Sequence, residues 1–182
     1  MKPQATLILI DVQQGLDDPW FGQRNNPHAE QNIARLLCHW RTESRPIVHI
    51  QHASVNPQSP LYPDRPGYQL KPGCEPIAGE AHRVKNVNSA FIGTELEKHL
   101  LDAGATSVVI CGLTAEHCVS TSVRHACNLG LSVTLAADAT ASFDSTDHNG
   151  KDFTAEQVYD ISLTTLNAEF CRILTTSDIL QH

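Results

Sequence analysis

Ser107-Val108-Val109-Ile110-Cys111-Gly112-Leu113-Thr114-Ala115-Glu116-His117-Cys118-Val119 is the stretch that decides the fold. Its first part is short, apolar and β-branched. After it, Val119, Val123, Ala126 and Cys127 recur at helical spacing, and Gly130 stands where a helix stops. The pattern predicts a buried strand, a tight turn and a helix over about 115–129. Thr114 is the expected N-cap, which puts Cys118 in the first helical turn. A thiol there sits among unpaired backbone N–H groups at the positive end of a helix dipole, an environment that lowers its pKa. Cys118 also lies one residue off the core stripe, turned about 100° around the axis. Cys127 on the stripe and Cys111 in the strand read as core filler.

Working outward, the same alternation continues. Thr6-Leu7-Ile8-Leu9-Ile10 is a continuous apolar run ending at Asp11, as in a strand covered on both faces. Gln13 to Asn26 is a loop carrying Trp20. Asn26-Pro27 reads as N-cap and first helical residue of a helix over 27–43. Residues 46–52 form a second strand. His49 and His52 on it are three apart and face opposite ways, so they do not chelate one ion together. His52, near the strand's carboxyl end, is left able to face a crevice. Residues 53–80, rich in proline, glycine and polar groups, form a long loop of the kind used as a lid or an oligomer contact.

A strand follows at 81–85. Lys85, at its end, reads from local sequence alone as a solvated charge. Thr94 with Glu97 has the spacing of a capping box, opening a helix that stops at Gly104. A strand over 131–137 ends at Asp138. Thr154 with Gln157 opens a helix of about 155–167. A strand at 170–174 and a short helix at 176–181 complete the chain. This is an α/β fold: a Rossmann-like, open, mostly parallel six-stranded sheet with helices on both faces, in one domain spanning 1–182. Ligands in such sheets bind beyond the carboxyl ends of the strands, at a topological switch point. Asp11, Lys85 and Cys118 each follow a strand, and the architecture gathers them at one edge.

Composition narrows the function. With 182 residues, 41% of them hydrophobic, the chain can bury a full core. A net charge of −7 without a basic stripe speaks against nucleic acid and anionic membranes as partners. No apolar run approaches the roughly 20 residues of a membrane span. Met1-Lys2-Pro3-Gln4 leads directly into the first strand with no signal-peptide pattern, so a cytoplasmic location is expected. Six cysteines without CxxC spacing read as free thiols.

Asp11 after the first strand, Lys85 before Asn88-Ser89-Ala90-Phe91, and Gly112-x5-Cys118-Val119 followed by Thr121 and Arg124 resemble the isochorismatase-like cysteine hydrolases over about residues 5–175. The resemblance implies a Cys118–Asp11–Lys85 triad and a cis peptide at Leu113–Thr114. It also implies an oxyanion hole from the N–H groups of Thr114 and Cys118. The chemistry it implies is cleavage of an amide or carbamoyl C–N bond of a small molecule. Cys118 forms a thioester and Asp11 is the general base. Nicotinamidases, which are similar, carry an Asp-x-His metal motif after the second strand. That region here reads Gln51-His52-Ala53-Ser54, so no catalytic metal and no cofactor are expected. Proximity to these motifs makes Trp20, His52, Phe91 and His117 the candidates for substrate binding, and the family resemblance implies a homo-oligomer, dimer or tetramer. Two rival readings are an isochorismatase-type vinyl-ether hydrolase and a redox-sensing or binding protein using a low-pKa Cys118.

Overall fold

A computed structural model describes residues 5–181, so the Met1–Gln4 reading lies outside the described residues. The elements run β1 (Thr6–Ile10), α1 (Ala29–Thr42), β2 (Ile47–His52), β3 (Ala81–Lys85), α2 (Leu96–Asp102) and β4 (Ser107–Leu113), and continue with α3 (Ser120–Asn128) and β5 (Ser132–Ala141). After them come a small ribbon of β6 (Ser145–Thr146) and β7 (Asp152–Phe153), then α4 (Ala155–Leu166), β8 (Arg172–Leu174) and α5 (Thr176–Leu180). Six strands form one sheet in the order β3-β2-β1-β4-β5-β8, and every pairing in it is parallel. No helix among the described residues is long and apolar enough to cross a membrane.

The apolar runs dictate this layering. β1 is buried along its whole length, because alternate residues enter two different cores. Ile8 and Ile10 join Val119, Val123 and Ala126 of the turn and helix after β4 on one face, while Leu7 and Leu9 join Ile33, Leu36 and Trp40 of α1 on the other. A sheet covered on both sides has no polar face to write as alternation, which is why β1 and β4 read as continuous hydrophobic runs. Cys111 is fully buried and Cys127 half-buried against the core.

Gly112 fixes how closely the two central strands meet. Its φ is +121°, and a Cβ built there would lie 2.0 Å from Ile10 O. No other residue fits without moving β1, which carries Asp11 at its end. β5 then departs from expectation by continuing through Asp138 to Ala141. A register shift opposite Ile110–Gly112 absorbs the extra residues, and Thr140 Oγ1 donates to Gly112 O at 2.6 Å. Asp138 is spared a solvent role because its Oδ1 accepts from both Thr176 N and Thr176 Oγ1 at the start of α5.

Two expected helix starts are formed differently. Asn26 does not cap α1: it adopts φ +43° and turns its side chain to donate to Thr140 O, so His28 precedes the helix. The Thr94 box does not close, because Glu95 takes a left-handed φ of +56° and Thr94 Oγ1 donates to Ala90 O. The Thr154–Gln157 box forms in full at the start of α4.

The long 53–80 segment is a strap laid on the loop after β1. Gln14 N donates to Gln69 O and Lys71 N to Val12 O. Gly15 and Gly67 meet backbone to backbone, since a Cβ on Gly67 would lie 2.6 Å from Gly15 Cα. Lys71 clamps the strap through Asp17 and Glu30, both at 2.6 Å.

Candidate active site

The switch point lies between β1 and β4, where the chain has first wound outward to β3 and then returned to the other side of β1. Asp11, one residue past β1, adopts φ +52°, a left-handed backbone that costs a non-glycine residue roughly 1–3 kcal/mol. Its N–H donates to Ile50 O, which ties the strained residue to β2. Lys85 ends β3, two strands away. The spacing between strands is about 4.8 Å, so bridging β2 takes a side chain of lysine's length. The ammonium is fully buried, so the solvated charge that local sequence alone suggests for Lys85 gives way to the gathering at one edge that the architecture implies.

Lys85 Nζ donates to three groups: Asp11 Oδ2 at 2.6 Å, His52 Nδ1 at 3.1 Å and Cys118 Sγ at 3.2 Å. That is the full complement of an ammonium. Asp11, His52 and Cys118 offer donor atoms within 4.8 Å of one another, a trio suited to a cation. The cation they meet is Lys85 itself. An ammonium has no lone pair, so His52 accepts at Nδ1 and carries its proton on Nε2. Burial, and secondarily the Lys85 charge, pushes His52 down to about 4. Gln13 holds His52 from behind: its Nε2 donates to His52 O and its Oε1 accepts from His52 N, while Nε2 also reaches Tyr68 O in the strap. Gln13 is fully buried, and sequence reading passed it over as a loop residue.

Cys118 sits in a wide turn over Ala115–Val119 rather than in an α-helical first turn. Val119 N donates to Thr114 O, five residues back, and the Thr114 side chain makes no cap. The peptide Leu113–Thr114 is cis. The thiol is also not the acidic one expected. Burial, reinforced by the Asp11 carboxylate, pushes it up to about 12, with Lys85 opposing. Asp11 is itself raised by burial, with Lys85 pulling the other way. The resting sulfur is therefore a thiol, 3.8 Å from Asn88 Oδ1. Asp11 Oδ1 is buried and makes no hydrogen bond of ordinary geometry, so the carboxylate has one oxygen anchored and one unengaged.

Above this group opens a cavity of about 800 Å³, with Asp11, His52 and Cys118 in its lining. Trp20 and His117 line it too, both well exposed. Phe91 does not. It is 8% exposed, packed in the core and against His125 at 4.9 Å between ring centroids. Nearness in sequence to Lys85 misplaced it, because the chain turns inward after Asn88. Glu116, two residues before Cys118, lines the cavity and was not singled out from sequence.

Residues 5–178 match the model of the isochorismatase domain. The chain is 43% identical to YrdC, an uncharacterized isochorismatase family protein of Bacillus subtilis, over 99% of this chain and 96% of that one. A crystal structure of a hydrolase of the isochorismatase family from Chromobacterium violaceum superposes with a TM-score of 0.95 at 44% identity, covering 99% of this chain and 93% of its own. A streptothricin hydrolase of Streptomyces noursei is 30% identical over 79% of this chain and 57% of its own length.

Proposed function

The chain belongs to the isochorismatase family of hydrolases, and from that premise we propose that it cleaves a C–N bond, amide or carbamoyl, of a small molecule through a thioester on Cys118. The observation that carries this reading is the Asp11 carboxylate gathered with the sulfur around one ammonium: Oδ2 is held by Lys85, which also donates to Cys118 Sγ, and Oδ1 makes no hydrogen bond of ordinary geometry. A thiol raised to about 12 needs a base at the moment of attack, and a desolvated carboxylate with a free lone pair supplies one.

The steps follow from that geometry. Asp11 Oδ1 takes the thiol proton as Sγ attacks the carbonyl carbon. Lys85 balances the negative charge that passes between carboxylate and sulfur. The N–H groups of Thr114 and Cys118 receive the developing oxyanion, each such donor being worth about 2.7–4 kcal/mol. Asp11 returns the proton to the departing nitrogen. It then deprotonates the water that hydrolyses the thioester, releasing the acid and restoring the thiol.

The vinyl-ether alternative gives the sulfur no task. The redox-sensing alternative rests on an acidic thiol, and burial has moved this one the other way. The test is an ammonia-release screen over small amides, carbamoyl compounds and lactams, with Cys118→Ala as blank, and intact mass for an acyl adduct. Turnover in the Cys118→Ala protein would reject the mechanism.

A further inference from the structure

The walls of the cavity carry a charge pattern that the hydrolytic chemistry does not use. Among the described residues, no lysine or arginine is in its lining. Within the reacting group, Lys85 and Asp11 cancel. What remains in the lining is acidic: Glu116 beside the nucleophile, with Asp144 and Asp147 farther out, where Lys151 over the Phe153 ring offsets one charge. Backbone N–H groups fix the outer two through their Oδ1 atoms, from Ala155 for Asp144 and from Asn149 and Lys151 for Asp147.

Glu116 is the informative member. Its side chain is 16% exposed, and Oε2 is buried with no hydrogen-bond partner. Oε1 lies 3.7 Å from His117 Nδ1, beyond hydrogen-bond reach. A carboxylate oxygen shut away from water without a donor is costly, and a donor arriving with a ligand would relieve it. The aromatic lining agrees. Trp20, Phe143 and Phe153 are in the lining, and aromatic rings attract cations to their faces. Such a contact already exists at one of them, where Lys151 Nζ stands 4.7 Å over the Phe153 ring.

We propose that the cavity selects substrates bearing an ammonium or guanidinium group, and that Glu116 is the specificity-determining residue that accepts its N–H. The proposal rests on the hydrolase reading for the word substrate, but the potential it describes can be measured without turnover. Cys118 is modified in parallel with a trimethylammonium-ethyl and a sulfonato-ethyl methanethiosulfonate, and the rates are read on the Cys118 peptide by mass spectrometry. The Cys118 sulfur attacks the sulfenyl sulfur and a mixed disulfide forms. Methanesulfinate leaves with the electron pair of the broken S–S bond, and the thiol proton passes to buffer.

The ratio of cationic to anionic rates, normalised to 2-mercaptoethanol, is expected to exceed unity by about tenfold or more. It should collapse toward unity in about 1 M salt. Glu116→Gln should lower it by a factor of roughly 3–10. A normalised ratio at or below unity in the wild-type protein overturns the proposal, and that measurement stands even if Glu116→Gln does not fold. An unchanged ratio in a folded Glu116→Gln protein overturns the role of Glu116. An absence of ammonia release together with a high ratio overturns hydrolysis alone.

Discussion

Two buried lysines, Lys71 and Lys85, hold carboxylates at the same 2.6 Å, and the protein puts them to different uses. Lys71 faces Asp17 and Glu30, and Glu30 is gripped again by Arg24 at 2.7 and 2.9 Å. Although burial opposes it, hydrogen bonds from Arg24 and Lys71 bring Glu30 down to about 2. That cluster pins the strap. Lys85 meets a single carboxylate, and its remaining protons go to an imidazole and a thiol. There burial outweighs the ammonium, Asp11 rises, and its Oδ1 makes no hydrogen bond of ordinary geometry. Under the proposed mechanism, what makes the second ion pair a working group is that it is deprived of water and left one bond short.

The sharpest way to break the comparison is to remove the working atoms. Cys118→Ala and Asp11→Asn should each lower kcat/KM by on the order of 10⁴-fold or more, measured by ammonia release, with Cys118→Ala melting like the wild type. Next, Lys85→Met strands Asp11 as an unpaired buried carboxylate. It should cost about 3–5 kcal/mol in urea unfolding as well as turnover. Lys71→Met leaves Glu30 bound to Arg24 and Asp17 well exposed, so about 1 kcal/mol is expected, with activity per folded molecule retained. Equal losses from the two lysines would erase the distinction.

The pH dependence separates them further. Glu30, and Glu80 held by Arg41 and His49, are both lowered to about 2 from 4.5. Their folded forms bind fewer protons than the unfolded chain between those values. The stability they give is complete above about 4.5 and is lost as pH falls toward 2, which urea midpoints against pH would record. Activity has the opposite origin. In the proposed mechanism Asp11 acts ionised, and it is raised, so the acid limb of kcat/KM should lie above the ordinary carboxylate range. A thiol at about 12 puts no alkaline limb at pH 8–9.

Much of the fold was legible because burial on both faces leaves continuous apolar runs, as in β1 and β4, and because the Thr154 box is a local signal that tertiary structure did not override. The Thr94 box was overridden by one left-handed residue, Glu95. The meeting of Asp11, Lys85 and Cys118 could be foreseen since strand ends are gathered by topology. The thiol's protonation could not, because helix-terminus reasoning counts the dipole and not the depth. Phe91 shows that chain neighbours need not be spatial ones. Gln13 and Glu116 carry signals two residues from a reactive group, which spacing alone does not rank.

Lys85 reaches the site from β3, which among the described residues pairs with β2 alone and forms one border of the sheet. Border strands open at lower free energy than the interior. On heating, the ammonium is therefore expected to leave the sulfur while β1 and β4 remain zipped. Enzymatic inactivation should precede the loss of circular dichroism, so the temperature at which the catalyst fails is set by its least protected strand.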